Sequence, residues 1–313
     1  MFFPPPFIFK FGRKKYNKYD LCYKNSIQNY QDIVSLPEKK HKEYLEGWFL
    51  YNTGETLDLR HPKTFNEKIQ WLKLYDSTEL KTMLTDKVKV RDWIKDQIGS
   101  EYLKPVLWIG KNFDDINFDE LPESFIIKTN HGSKWHFVIK SKSQFLKTKE
   151  LYAILKKRFQ VWMEMQFWPL FGLELQYKNI EPYIIIEPLL IDANNSLPSE
   201  YEIYCFNGEP ELLLEIPSNL PRNPYVYNKN FKTSDILLDV PPQENSKFAP
   251  ESLKKAVILS KQLSKNFKLV RVDWIFSNNQ LYFNEMTFTP CSGIYKFLNK
   301  ENNIQLGKML RIK

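Results

Sequence analysis

Two stretches near the C-terminal end hold residues able to do chemistry together: Leu269-Val270-Arg271-Val272-Asp273-Trp274-Ile275-Phe276 and Leu281-Tyr282-Phe283-Asn284-Glu285-Met286-Thr287. Branched and aromatic residues dominate both, and the polar residues between them make the pair read as a β-hairpin. Side chains alternate along a strand, so Arg271 and Asp273 share a face with Leu269 and Ile275. A three-residue loop over 278–280 would set Arg271 opposite Thr287, Asp273 opposite Glu285 and Ile275 opposite Phe283. A loop of two or four residues would put the carboxylates on opposite faces. The site therefore demands an odd loop, and asparagine tolerates the left-handed backbone such a loop needs. Two carboxylates that close repel, and each raises the other's pKa, unless a cation lies between them. Hard oxygen donors of this kind suit Mg²⁺, which takes one or two carboxylates and completes its octahedron with phosphate oxygens and water. Asp273, Glu285 and the weaker donor Thr287 are the candidate metal ligands. Arg271 beside them offers a fixed fork of donors for charge on a transferring phosphoryl group. The competing reading is a solvated strand face on which both acids are merely exposed.

The chain supplies elements to position this hairpin. Residues 1–45 read as an extension of mixed charge and weak periodicity. Thr64-Phe65-Asn66-Glu67 has the form of a capping box, and the helix it opens carries Phe65, Ile69 and Leu72 on one face. A second helix is expected over 86–98, with Val90, Ile94 and Ile98 four apart and Gly99 placed to end it. Residues 125–128 and 135–140 read as strands around a turn, and a helix follows over 149–162 with a solvated lysine face. Residues 183–191 are nearly continuously apolar, as in a strand buried on both faces. Residues 201–206 and 211–216 form a hairpin about Asn207 and Gly208. Residues 217–250, rich in proline and asparagine, read as an insertion, and a helix over 250–266 leads into the first hairpin.

The 313 residues, 42% hydrophobic, are enough for two domains or one large unit with subdomains. A formal charge of +8 fits anionic partners without choosing among nucleotide, acidic glycan, membrane surface and nucleic acid. Cys22, Cys205 and Cys291 are odd in number and widely spaced, which argues against a disulfide framework or zinc site and for a reducing, cytoplasmic compartment. No run of about eighteen apolar residues suggests a membrane span. The aromatic N-terminus does not read as a signal peptide, because its basic residues follow the apolar stretch and prolines interrupt it. Such a tail can touch an anionic membrane surface, or pack on its own domain.

Further candidates lie upstream of the hairpin. Lys128 ends an apolar strand and can reach nucleotide phosphates as a point charge. His131, Gly132 and Ser133 follow it in a turn whose amides can meet phosphate oxygens. Glu187 interrupts its apolar strand at a cost unless its carboxylate finds a donor. That donor is either an adenine amino group, with the backbone near Leu189 and Leu190 reading the base edge, or a neighbouring buried cation.

In order, Asn66-Glu67-Lys68-Ile69-Gln70-Trp71, Thr85-Asp86-Lys87, Lys128-Thr129-Asn130-His131-Gly132-Ser133, Cys205-Phe206-Asn207-Gly208 and the Arg271 to Thr287 hairpin resemble the ATP-grasp superfamily. More closely, they resemble its TupA-like family of polysaccharide-biosynthesis proteins. The resemblance runs from about residue 45 to 300. It implies an α+β fold in which two subdomains clasp a nucleotide beyond an N-terminal helical region. The expected divisions are 1–45, 46–124, 125–195 and 196–313. It adds Lys87 to the nucleotide-binding set of Lys128, His131, Gly132, Ser133, Glu187 and Leu190. It also implies ATP and Mg²⁺, with Arg271 and Lys128 as catalytic residues. The activity implied is ATP-dependent joining of a glycan carboxylate to an amine, through an acyl phosphate, in capsular or related polysaccharide biosynthesis. No nucleic-acid partner is implied. A sugar phosphotransferase and a catalytically silent glycan- or membrane-binding assembly factor remain alternatives. Two departures stand out. Lys134 and Trp135 replace glycines of the family's loop, and Glu202 stands where the family carries a lysine.

Overall fold

The computed structural model describes residues 26–192, 197–217, 223–236, 238, 242 and 250–312. The basic N-terminal tail of residues 1–15 lies outside them. The described chain opens with α1 (Ser26–Val34), α2 (His41–Thr53), α3 (Phe65–Tyr75), α4 (Glu79–Thr85) and α5 (Val90–Ile98). The capping box forms as the sequence requires. Thr64 Oγ1 accepts from the Glu67 amide at 3.2 Å, and Glu67 returns a carboxylate oxygen to the Thr64 amide at 2.8 Å. The helix expected over 86–98 is shorter at its start. Asp86 caps α4, and its carboxylate accepts from the Val88 amide, so residues 87–89 turn before α5 begins.

A four-stranded antiparallel sheet follows, built from β1 (Trp108–Gly110), β2 (Phe125–Thr129), β3 (His136–Ile139) and β4 (Ile184–Pro188) in the order β1-β4-β2-β3. Alternation divides its strands. Phe125, Ile127, Ile184 and Ile186 pack with Phe145 of α6 (Lys142–Lys147) and Leu155, Phe159 and Trp162 of α7 (Lys149–Glu164). Lys128 and Glu187 fall in the opposite parity and point away from that core.

A five-stranded antiparallel sheet contains β5 (Ser199–Phe206), β6 (Glu209–Ile216), β7 (Tyr225–Asn228), β8 (Leu269–Ser277) and β9 (Gln280–Thr287), ordered β7-β6-β5-β8-β9. Strand β7 lies within the stretch read as an insertion and forms one edge of the sheet. Leu253, Ala256 and Leu263 of α8 (Glu251–Ser264) cover one face, packing with Ile203, Val270, Val272 and Trp274. The other face packs at one end on α3 and α9 (Lys300–Met309), through Phe65, Ile69, Leu306, Tyr204 and Phe206. Between these apolar zones it carries charge.

The β8–β9 hairpin differs from the expected three-residue loop. Ser277 pairs with Gln280, so the turn has two residues, Asn278 and Asn279. Their φ values of 49° and 62° supply the paired left-handed conformation of a type I′ turn. Such a turn sets Ile275 against Tyr282 instead of Phe283. A β-bulge then shifts the register, because Trp274 pairs with Phe283 and Asp273 with Glu285, leaving Asn284 as the extra residue. Arg271 pairs with Thr287. The even turn and the bulge cancel in parity, so the carboxylates share a face after all.

Candidate active site

Glu187 gathers cations from three other elements. Its carboxylate accepts from Lys128 Nζ at 2.8 Å and lies 2.9 Å from Lys104 Nζ, with Arg91 at 3.9 Å. Burial alone would raise the Glu187 pKa, but Lys128 and Lys104 outweigh it and hold the group at about 2. Burial pulls the Lys104 ammonium down to about 8, with the charge of Lys128 adding to the effect. Lys104 also donates to Asn284 Oδ1 at 2.9 Å, so one ammonium ties the four-stranded sheet to the bulge of the five-stranded one. The sequence motifs do not single out Lys104 or Arg91. The available signal was a lysine in the apolar run Tyr102-Leu103-Lys104-Pro105-Val106-Leu107-Trp108, the same kind of interruption that marked Glu187.

Lys87 fastens the turn after β2. Its ammonium donates to the Gly132 carbonyl at 2.8 Å and stands 3.7 Å from Glu285, so the expected phosphate lysine joins loop and hairpin. Gly132 is needed for close approach: a Cβ there would lie 2.5 Å from the Trp135 ring. Trp135 is itself core, stacked on Trp162 at 5.6 Å. Lys134 takes φ 59°, the left-handed conformation a glycine would adopt without strain, and its side chain is exposed. The His131 ring is buried between Asn130 Oδ1 at 3.2 Å and the Trp162 carbonyl at 3.0 Å. Its side chain therefore fixes the loop, leaving backbone as what His131 can offer a ligand. Ser133, Leu189 and Leu190 are half-buried, and both leucines follow the end of β4.

On the five-stranded sheet, Glu202, Asp273 and Glu285 stand in register on the adjacent strands β5, β8 and β9. Arg271 forks onto Asp273, with Nε 2.7 Å from Oδ1 and Nη2 2.6 Å from Oδ2, while Nη1 lies 3.5 Å from Glu202. Burial disfavours the Arg271 charge, yet Asp273 and Glu202 outweigh it and keep the guanidinium protonated. Burial and the nearby Glu202 and Glu285 push the Asp273 carboxyl up, against the pull of Arg271. Among the described residues no group of three His, Cys, Asp or Glu side chains converges as a metal cage. Two facing carboxylates and the Thr287 hydroxyl are instead a partial, all-oxygen donor set, which fits Mg²⁺ completed by phosphate and water.

The helix motif read from sequence positions the exit of this hairpin. From α3, Asn66 donates to the Tyr295 carbonyl at 3.0 Å and Gln70 to those of Ser292 and Gly293 at 3.0 and 2.8 Å. Lys68 reaches the carbonyls of Gly307 and Leu310, and Lys73 that of Ser292 at 2.8 Å. Cys291, Ser292 and Gly293 are all left-handed, a run that persists only when its surroundings hold it. The polar face of α3 does so.

A search of curated proteins gives no match. Among solved structures, the chain is similar to D-alanine–D-alanine ligase from Bacillus anthracis complexed with ATP, at 14% identity and a TM-score of 0.41, over 73% of this chain and 63% of that one. It is also similar to the ADP complex of N5-carboxyaminoimidazole ribonucleotide synthetase, at 12% identity and a TM-score of 0.41, covering 71% and 50% of the two chains. D-alanine–D-alanine ligase from Helicobacter pylori aligns at 14% identity and a TM-score of 0.42, over 79% and 69%. The chain thus spans less than two thirds of the length of the first two. The family model described as TupA-like ATPgrasp matches residues 67–311, from the α3 motif through the β8–β9 hairpin to the C-terminal helix. The chain belongs to the TupA-like ATP-grasp family.

Proposed function

We propose that this protein is an ATP-dependent carboxylate–amine ligase acting on a cell-surface polysaccharide or its precursor. The carrying observation is the meeting of two charged walls: Lys128, Lys104 and Lys87 on one side, and Arg271, Asp273 and Glu285 on the other. A polyphosphate held between them finds ammonium groups for its oxygens and a fork of donors for the phosphoryl group in flight. Glu187 presets Lys128 and Lys104, which supports a role for it in placing the phosphate-binding lysines. The base would then rest on the backbone after β4, near Leu190. Mg²⁺ on Asp273 and Glu285, assisted by Thr287, would neutralise phosphate oxygens. In the reaction a uronic-acid-type carboxylate attacks the γ-phosphorus, ADP leaves, and an amine displaces phosphate from the acyl phosphate to form the amide. Arg271 balances charge at the reacting phosphoryl group, and Lys128 at the nucleotide. The basic N-terminal segment would bring the enzyme to an anionic inner membrane surface from the cytoplasm.

ADP release with ATP, Mg²⁺, a uronic acid and an amine tests the reading. Release should require both co-substrates, and hydroxylamine should trap a hydroxamate when it replaces the amine. Phosphate carried to a sugar hydroxyl without any amine would make the protein a phosphotransferase. Tight ATP binding without turnover would make it an assembly factor.

A further inference from the structure

Arg271 holds Asp273 with two parallel bonds of 2.7 and 2.6 Å, one to each carboxylate oxygen. A divalent cation on Asp273 competes for those same oxygens and repels the guanidinium. Arg271 is only 15% exposed, so if displaced without a new anion it would become an uncompensated buried charge. An anion is already at hand. Glu202 pairs with Asp273 across β5 and β8, and its Oε1 lies 3.5 Å from Nη1, the nitrogen that Asp273 leaves free. The other Glu202 oxygen accepts from the Tyr204 hydroxyl at 3.2 Å, and that hydroxyl is fixed by Tyr295 at 2.8 Å. The Tyr204 ring lies 5.8 Å from the guanidinium, a surface along which the cation can shift while remaining solvated by π electrons.

We propose that Glu202 is the second seat of Arg271, a positioning residue that receives the guanidinium when a divalent cation takes Asp273. The inference rests on the reading that Asp273 is a metal ligand. It gives the departure at Glu202 a purpose. A lysine there would repel Arg271 and leave it only the nucleotide's phosphate as a partner, whereas a glutamate makes the fork transferable between neighbouring strands before that phosphate arrives. The aspartate is then closed by arginine before metal loading and open after it.

Calorimetric titration of MgCl₂ into the full chain with a non-hydrolysable ATP analogue tests this, using Glu202→Gln, Arg271→Met and the double variant. In the wild-type background Glu202→Gln should weaken metal affinity by about tenfold, within the coupling range of contacting residues. In the Arg271→Met background the same change should have almost no effect, because no guanidinium needs a seat. Equal weakening in both backgrounds would show that Glu202 acts through its charge alone and would overturn the proposal. Should Arg271→Met fail to fold, Tyr204→Phe loosens Glu202 without touching the charges. It should weaken the metal by roughly threefold on the same logic, and unchanged affinity there overturns the seat. Asp273→Asn separates the two readings. Undiminished metal binding in that variant would remove the metal assignment itself, whereas loss of binding with no coupling between Glu202 and Arg271 removes only the seat.

Discussion

Glu187 and Asp273 are buried carboxylates on two sheets that the Lys104–Asn284 hydrogen bond joins, and their surroundings push them in opposite directions. Glu187 meets two ammonium groups within 2.9 Å, and its pKa is held at about 2. Asp273 has one arginine and two neighbouring carboxylates in its row, and burial, with those carboxylates adding to it, pushes its carboxyl up. The difference lies in who outnumbers whom. A carboxylate outnumbered by cations is an anchor whose charge is settled without any ligand. A cation in excess of carboxylates would have no reason to admit Mg²⁺, whereas carboxylates in excess of cations invite it.

The largest expected effect falls on the Asp273 side. Asp273→Asn should lower ATP turnover on the order of 10²–10³-fold, as loss of a preorganised charge-stabilising group does. Its melting temperature should change little, because removing one negative charge from a crowded row offsets the broken pair with Arg271. Near-normal turnover at saturating Mg²⁺ would erase the contrast between the walls.

On the Glu187 side the effect should be on stability first. Glu187→Gln leaves Lys104 and Lys128 facing each other without their anion, and breaking such a buried pair costs about 3–5 kcal/mol. The sign of its pH dependence follows from the depressed folded-state pKa. The contribution of Glu187 is fully present above the ordinary glutamate value of 4.5 and is lost as pH falls through about 2. Denaturation of wild type and variant should therefore differ most near neutrality and converge in acid. An altered preference for ATP over GTP with unchanged stability would return Glu187 to the adenine.

The smallest effect concerns Lys134. Glycine at φ 59° removes a left-handed penalty of about 1–2 kcal/mol but adds roughly 0.5–1 kcal/mol of chain entropy on unfolding, so Lys134→Gly should be slightly stabilising. Loss of an exposed charge should weaken ATP binding by roughly two- to threefold, in line with the modest worth of exposed ion pairs. A tenfold loss would place Lys134 among the phosphate ligands.

Local devices were legible in the sequence because neighbouring residues alone decide them. The Thr64 capping box, the left-handed turn at Asn207 and Gly208, and the alternation of β8 are all of this kind. The facing of Asp273 and Glu285 was read correctly from a turn that does not exist. The actual asparagine turn is shorter, and nothing about Asn284 announces an extra residue, since glycine and other bulge markers are absent there. Glu187 was recognisable as an expensive polar group, yet its partners Lys104 and Arg91 lie far from it in sequence, and only the fold brings them together. The carbonyls that Asn66, Lys68 and Gln70 of α3 hold lie more than two hundred residues away, so the helix's own pattern carries no mark of them.

The bulge at Asn284 also governs how this hairpin can change over generations. With the number of residues between Asp273 and Glu285 fixed, turn length and bulge are two parity bits, and only their combination keeps Glu285 beside Asp273. With the bulge kept, one residue inserted into the turn would rotate Glu285 to the side of Val272 and Trp274, among the apolar contacts of α8. Deleting the extra residue Asn284 would instead leave a regular two-residue hairpin with Asp273 still opposite the glutamate. The short turn with its bulge and a three-residue loop without one span the same residues between Asp273 and Glu285, so lineages can exchange them by a slip of register that leaves no gap in an alignment.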